Sequence, residues 1–135
     1  MHMNIMYDQD LDYLEVIFKK TANYGDSLTD DITIFKSEKN EKIVGYSFER
    51  ASKTALEFDG LNANAKLACL LRIVRAKEGL TQEQAADRSG HLTMRHYQRL
   101  ESGEENTTLE MVEGIAKAFP KWDFSLVLKG KKKSA

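Results

Sequence analysis

The fold of this chain is decided by residues 79–103, which read GLTQEQAADRSGHLTMRHYQRLESG. Threonine and glycine divide this stretch into two short segments. Thr81 is a typical first residue of a helix, and Gly90 ends that helix. Thr93 begins a second helix, which ends at Gly103. Two short helices separated by one tight turn predict a helix-turn-helix arrangement.

Two further helices are predicted on either side of this pair. The first covers residues 65–78, with Asn64 as its first capping residue and Gly79 at its end. Its apolar residues recur at helical spacing, at Leu67, Leu70, Leu71 and Val74. The last helix begins at Thr108 and stops before Pro120, which cannot continue a helix.

This region resembles the phage-repressor (Cro/cI, or XRE) family over about residues 65–119. Two motifs carry the resemblance, GLTQEQAA at residues 79–86 and YQRLESG at residues 97–103. The family resemblance implies a domain that binds double-stranded DNA. The small Ala85 and Ala86 fit this interpretation, since small side chains allow the two central helices to approach closely.

The third helix of this domain is predicted to read DNA bases. Its outward face is long, polar or basic, and a helix of this kind can enter the major groove. Arg95 and Arg99 are four residues apart, so they share one face. The residues predicted to face the bases are Met94, Arg95, Gln98 and Arg99.

The resemblance also implies phosphate contacts and a structural ion pair. The phosphate contacts would come from Gln82, Thr93, Ser102 and Asn106. Arg75 and Glu101 match the ion pair that joins the first and third helices in the family. A direct DNA contact is the alternative role for Arg75, and we favour the scaffold role.

Three features depart from the family pattern. His91 resembles a one-residue insertion in the turn, which would shift the recognition helix. Met94 stands where the family often has a polar residue, so this contact is expected to be apolar, for example to a thymine methyl group. Glu104 and Glu105 lie in a loop that is usually near phosphates, which would repel them.

The first half of the chain is predicted to form an antiparallel sheet. Residues 5–20 alternate in polarity like a strand, and residues 23–27 carry turn formers. A second strand begins at Ile32, and after a charged tip the return strand places Val44, Tyr46 and Phe48 inward. Gly45 marks a close backbone approach. We therefore expect an α+β fold with a sheet of three or four strands, covered by a helix over residues 51–58.

The first 52 residues resemble a small β-rich prokaryotic domain family of unknown function. The resemblance rests on YDxxxDxLxV from residue 7 and IVGYxFExAS from residue 43. The resemblance implies no established chemistry. Members of this family that are joined to a DNA-binding domain look like antitoxin components.

The charge of the chain is divided between its halves. Residues 1–60 carry 7 basic and 12 acidic side chains, whereas residues 61–135 carry 13 basic and 9 acidic ones. Opposite signs suggest two units with different partners. The acidic half is expected to attract a basic protein, and the basic half to attract DNA.

No catalytic, metal or cofactor site is predicted. Several carboxylates in the first half invite a metal interpretation, namely Asp8, Asp10, Asp12, Asp30 and Asp31. They lack the glycine and the terminal glutamate of a calcium loop, so a solvated surface is favoured. No nucleophile–base pair or phosphate loop accompanies them, so we do not expect an enzyme. A single cysteine, Cys69, excludes a disulfide within the chain.

The C-terminal end is predicted to form a strand and a basic tail. Phe124, Leu126 and Leu128 alternate with other residues, and a lone strand needs a partner. We favour the same strand of a second copy, since repressors of this kind bind DNA as symmetric dimers. The rival partner is the N-terminal sheet. Residues 130–135 form the tail, which would add salt-dependent affinity for DNA.

The sequence as a whole predicts a β-rich partner-binding unit at residues 1–59, a linker at 60–64 and a DNA-binding unit at 65–129. No membrane segment or signal peptide is recognised, so a cytoplasmic location is expected. The predicted function is that of a dimeric repressor, the antitoxin of a pair whose basic toxin binds the acidic unit. The alternative is a stand-alone regulator in which the first unit senses a ligand or mediates oligomerisation.

Overall fold

The computed structural model describes residues 3–104 and 106–123, and within them the α+β class is confirmed. Five strands come first: β1 Asn4–Asp8, β2 Tyr13–Ile17, β3 Asn23–Ser27, β4 Ile32–Ser37 and β5 Ile43–Phe48. Five helices follow: α1 Ala51–Glu57, α2 Ala63–Glu78, α3 Gln82–Ser89, α4 Met94–Ser102 and α5 Leu109–Ala118. The strands form one antiparallel sheet in the order β1-β2-β5-β4-β3.

The prediction of a single strand over residues 5–20 is wrong, because a tight hairpin divides it into β1 and β2. The Asp12 N–H donates to the carbonyl of Gln9, and the Asp8 carboxylate accepts from the N–H of Leu11. Asp12 itself has a left-handed backbone with φ 49°. The local hydrogen bonds made by the Asp8 side chain and the Asp12 backbone therefore override the strand pattern at this point.

The prediction of a simple turn at residues 23–27 is also wrong. These residues form β3, an edge strand that pairs in register with β4 and whose residues are all exposed. Its turn-forming sequence gives no strand signal, and pairing with β4 decides its conformation. The sheet consequently has five strands rather than three or four.

Asp12 joins the β1–β2 hairpin to the first helix. Its carboxylate accepts hydrogen bonds from the Tyr7 hydroxyl at 2.6 Å, the Ser52 hydroxyl at 2.6 Å and the Ser52 N–H at 3.0 Å. Its backbone carbonyl accepts from the N–H of Ala51. Arg50, the residue before α1, provides no side-chain cap. A carboxylate 40 residues away in sequence therefore satisfies the start of α1.

The close backbone approach predicted at Gly45 is confirmed. A Cβ atom at this position would lie 2.5 Å from the Val16 carbonyl oxygen and 2.8 Å from the Ile17 Cδ1. No Cβ atom fits at such distances. Glycine at position 45 therefore allows β2 and β5 to pair although the Ile17 side chain lies against this position.

The inner face of the sheet forms one hydrophobic core with two helices. Leu14, Val16 and Phe48 are fully buried there, as are Ala51 of α1 and Ala65 of α2. Val44 and Tyr46 are buried too, as predicted for the return strand. We refer to the sheet and α1 as the sheet domain, and the N-terminal part of α2 forms a wall of its core.

The C-terminal part of α2 also contributes to a second core. Leu71 and Val74 pack there against the other three helices. The remaining fully or almost fully buried side chains of this core are Ala85, Ala86, Tyr97, Leu100, Ile115, Ala118 and Phe119. One helix therefore contributes to both hydrophobic cores.

The segment between the two cores has little free length. Leu61 is buried, and Asn62 caps α2 by accepting a hydrogen bond from the N–H of Ala65. The predicted cap was Asn64, which lies inside the helix. The division of the chain into units with a linker at residues 60–64 stays a prediction. None of the described helices has the length and apolar character needed to cross a membrane.

Asp12→Asn is expected to destabilise the protein by about 1–3 kcal/mol, because it weakens several hydrogen bonds to a charged acceptor. Desolvation raises the pKa of Asp12, but the hydrogen bonds from Ser52 and Tyr7 outweigh it and hold this pKa below its ordinary value. The stabilisation is therefore present above the unfolded-state pKa and is lost as the pH falls through the folded-state pKa. Urea unfolding between pH 2.5 and pH 7 measures it.

Asp10→Asn is the matched control, since Asp10 is exposed on the same hairpin. This variant should unfold like the parent protein at pH 7. Equal stability of the two variants would contradict a capping role for Asp12.

Candidate nucleic-acid interface

The helix pair α3–α4 is built as the sequence predicts. Thr81 caps α3 in a reciprocal arrangement with Gln84, and Thr93 caps α4 by accepting from the N–H of His96. Gly90 and Gly103 end the two helices in left-handed conformations, with φ 87° and 76°. These positive φ angles explain why glycine stands at both helix ends.

Ser89 holds the turn between the two helices, a role that the sequence analysis missed. Its hydroxyl donates to the carbonyl of Ala86 and accepts from the N–H of Leu92 at 2.9 Å. Ser89 is completely buried, so this turn is fixed from the inside. A serine immediately before the helix-ending glycine was the available signal.

Helix α4 presents two different faces. Tyr97, Leu100 and Glu101 are buried against the rest of the domain. The four residues predicted to read bases are all exposed and share the opposite side of the helix: Met94, Arg95, Gln98 and Arg99. Their part in base reading stays a prediction, but the structure brings them together on one accessible surface.

The structure brings Arg75 and Glu101 together as a two-pronged ion pair. Arg75 Nε lies 2.6 Å from Glu101 Oε2, and Arg75 Nη2 lies 3.0 Å from Oε1. Arg75 Nη1 also donates to the carbonyl of Leu80 at 3.0 Å. The hydrogen bond to Glu101 raises the pKa of Arg75, which remains a cation. This geometry joins α2, the α2–α3 turn and α4.

Tyr97 lies in the same buried region as this ion pair. Burial, followed by the charge of the nearby Glu101 carboxylate, raises the pKa of the Tyr97 hydroxyl, so this group stays protonated. The buried groups beneath the exposed face of α4 therefore include one ion pair, Arg75–Glu101, and one neutral phenol, that of Tyr97.

Gln82 links the buried pair to the exposed face. Its side-chain nitrogen donates to Glu101 Oε1 at 3.3 Å, and its side-chain oxygen accepts from Gln98 Nε2 at 3.2 Å. Gln82, a predicted phosphate contact, and Gln98, a predicted base-reading residue, are therefore hydrogen-bonded to each other. Gln82 positions Gln98 in this structure, and its phosphate contact stays a prediction.

The other predicted phosphate residues lie at opposite ends of α4. Thr93 is at the N-terminal end, whereas Ser102 is in the last turn and donates to the carbonyl of Arg99. Asn106 Oδ1 accepts from Asn64 Nδ2 at 3.5 Å, so its side chain faces the start of α2. A phosphate contact by Asn106 would require this contact to open.

Several predicted features fall outside the described residues. These are Glu105, the strand residues Phe124, Leu126 and Leu128, and the basic tail at residues 130–135. Glu104 is exposed in the loop after α4. Trp122 is half-buried against the helical core, and its backbone N–H donates to the carbonyl of Phe119.

The acidic residues of the sheet half do not converge. Asp12 is committed to Tyr7 and Ser52, and Asp31 forms an ion pair with Arg50. Among residues 3–104 and 106–123 no group of three or more histidine, cysteine or acidic side chains is arranged to hold a metal ion. Cys69 is buried, and its burial raises the pKa of its thiol to about 12. The expectation that the protein is not an enzyme stays a prediction.

Comparison with known proteins identifies the helical part. Residues 71–121 match the model of a helix-turn-helix family of the XRE type. The match begins inside α2 and includes both central helices, as the motifs predicted, and it does not cover the β-rich half. The searches of curated proteins and of solved structures returned no match.

The fold, the exposed face of α4 and this match together support a DNA-binding transcriptional regulator with a helix-turn-helix domain at residues 71–121.

Arg75→Met is expected to destabilise the protein by about 3–5 kcal/mol, because it leaves the buried Glu101 carboxylate without a cation. Glu101→Gln should cost less, about 1–2 kcal/mol, since the Arg75 side chain is 24% exposed and can reach water. Urea unfolding at pH 7 measures both values.

The double variant R75M/E101L tests whether the cost of Arg75→Met comes from the unpaired charge of Glu101. It should recover most of the loss, because an apolar pair replaces a buried charge pair at little net cost. Equal destabilisation by R75M and E101Q would contradict the expectation that loss of the partner costs more for the fully buried Glu101 than for the partly exposed Arg75.

Proposed function

We propose that this protein is a sequence-specific repressor that inserts α4 into the major groove of its operator. The observation that carries this proposal is the exposed face of α4, which is fixed from beneath by the Arg75–Glu101 ion pair. A fixed helix with long polar and basic side chains outward is the element that reads base edges in this class.

Arg95 and Arg99 are the residues proposed to read guanine. Both are exposed and lie one helical turn apart. Each arginine that forks onto guanine O6 and N7 contributes about 1–3 kcal/mol of base discrimination. Met94, which is 43% exposed at the start of the helix, would contact a thymine methyl group.

Phosphate contacts complete the proposed complex. The helix starts at Thr81 and Thr93 present backbone N–H groups, which attract anions at helix N-termini. Gln82, Thr93, Ser102 and Asn106 remain the proposed side-chain contacts. The protein would bind as a homodimer to two half-sites, with the C-terminal strand as the proposed dimer contact.

The double variant R95A/R99A should lose sequence preference while folding normally. Loss of two forked contacts predicts a fall of about 100-fold or more in affinity for the preferred duplex. The preferred duplex is selected first from a random pool with the parent protein. Fluorescence anisotropy at fixed salt concentration then compares that duplex with a scrambled one.

Arg88→Ala is the matched control, because Arg88 is exposed in the last turn of α3, at the other end of that helix from Gln82. It should keep the full preference. Retention of the preference by R95A/R99A would reject α4 as the reading helix.

The finer proposal is that the protein is an antitoxin that represses its own operon and neutralises a basic toxin. Its support is the net charge of −5 over residues 1–60, which favours a partner of opposite sign. Asp12 and Asp31 are engaged within the chain, so other acidic residues must supply the attraction. Exposed candidates are Asp10, Glu38, Glu49 and Glu57. Both activities would take place in the cytoplasm, where the DNA lies.

Co-expression with the neighbouring gene tests this finer proposal. If that gene encodes a short basic protein, the two should co-purify, and growth arrest by the basic protein alone should be relieved. Reversal of Asp10, Glu38, Glu49 and Glu57 to lysine should abolish both effects.

The matched control reverses Glu110 and Glu113, which are exposed on α5 outside the acidic half. It should leave co-purification intact. Neutralisation that survives reversal of the four acidic residues would reject the acidic half as the binding surface.

The second candidate function is a regulator whose sheet domain senses a ligand. A cavity of about 770 Å³ where the sheet domain meets α2 favours this candidate. The two candidates use the same DNA-binding helix and differ in what the first half of the chain binds.

A further inference from the structure

The cavity lies between the sheet and the N-terminal end of α2. Phe18, Val44 and Met3 supply apolar side chains, and Gly103, which ends α4, is also part of the wall. Its volume of about 770 Å³ falls within the range of small-molecule sites. A ligand in this cavity would touch the sheet domain, α2 and the C-terminal end of α4.

The charge of the cavity is opposite to that of the half of the chain that forms most of it. Residues 1–60 carry a net −5. Within residues 3–104 and 106–123, however, the charged residues that line the cavity are Lys19 and Lys42, and no aspartate or glutamate of these residues lines it. Neither lysine has an ion-pair partner in the part of the chain that the structure describes. Two unpaired cations beside an apolar wall favour an anion with an apolar body.

Uncharged hydrogen-bond donors reinforce this preference. Ala63 and Asn64 begin α2, so their backbone N–H groups have no partner within the helix. The Asn62 side chain caps the next N–H, that of Ala65, and leaves these two available.

Ser37 adds a buried hydroxyl to the same wall. It is 4% exposed, and its oxygen accepts from the Lys39 N–H. None of the hydrogen bonds among the described residues uses its O–H as a donor. A buried donor that lines a cavity without an acceptor is a natural partner for an anionic oxygen.

We propose that this cavity binds a small organic anion, with its carboxylate, phosphate or sulfonate group at Lys19 and Lys42 and its apolar part against Phe18 and Val44. This inference deepens the second candidate function and rests on it for its biological meaning. The binding itself requires neither DNA nor a partner protein.

The test is a titration of the full-length chain with 1-naphthalenesulfonate, followed by amide chemical shifts. Shifts should concentrate at Phe18, Val44, Ala63 and Gly103. The uncharged analogue 1-naphthalenemethanol has the same rings and should bind about tenfold more weakly, since charge-assisted hydrogen bonds are lost.

Charge-reversal variants identify the cationic contacts. Lys19→Glu and Lys42→Glu should each weaken sulfonate binding by about tenfold or more. Lys39→Glu is the matched control, because Lys39 is exposed between β4 and β5 and is not among the lining residues. Thermal unfolding of each variant verifies that it is folded.

Three results would overturn the proposal: shifts outside the cavity, equal affinity for the uncharged analogue, or unchanged affinity in both lysine variants. The R95A/R99A variant separates this proposal from the DNA-binding one. It should bind 1-naphthalenesulfonate like the parent protein, so anion binding is measured independently of operator recognition.

Discussion

The rest of the helical domain depends on a carboxylate that is completely removed from water. Glu101 is 0% exposed, and such a group is tolerated only when a cation and hydrogen bonds satisfy it. Arg75 provides the cation from α2, and Gln82 provides a further donor from α3. The orientation of α4 is therefore tied to two other helices by directional bonds, which apolar packing alone does not supply. Because α4 is held in this way, the backbone positions of the exposed Arg95 and Arg99 are fixed as well.

The same constraint extends to the sheet through α2. Arg72 donates to the Glu101 carbonyl at 2.8 Å and to the carbonyl of Ile5 in β1 at 3.2 Å. Its neighbours Leu71 and Ile73 are buried in different cores, Leu71 with the helices and Ile73 with the sheet. Arg72 therefore connects β1 directly to the C-terminal end of α4. A partner or ligand that displaced β1 would have to stretch or break this connection.

The sequence was sufficient where the deciding interactions are local. The caps at Thr81, Thr93 and Thr108 bond to residues three positions away, so helix starts could be read directly. It was insufficient where partners are distant: β3 is a strand only because β4 pairs with it, and Asp12 meets Ser52 across 40 residues. The faces of α4 were predictable from helical period, whereas the cavity was not, because its walls come from separate elements.

The net charge of the acidic half does not describe how its charged side chains are distributed. The acidic half holds carboxylates that are internally paired, carboxylates that face solvent, and part of a cavity whose charged lining residues, among those that the structure describes, are lysines. At an ionic strength of 0.15 M, charges are screened over about 8 Å, so each surface acts mainly through its nearest groups. The outer carboxylates and the lysine-lined cavity can consequently attract partners of opposite sign. A basic protein and an organic anion need not compete for the same residues, and the two proposals for this half of the chain are physically compatible.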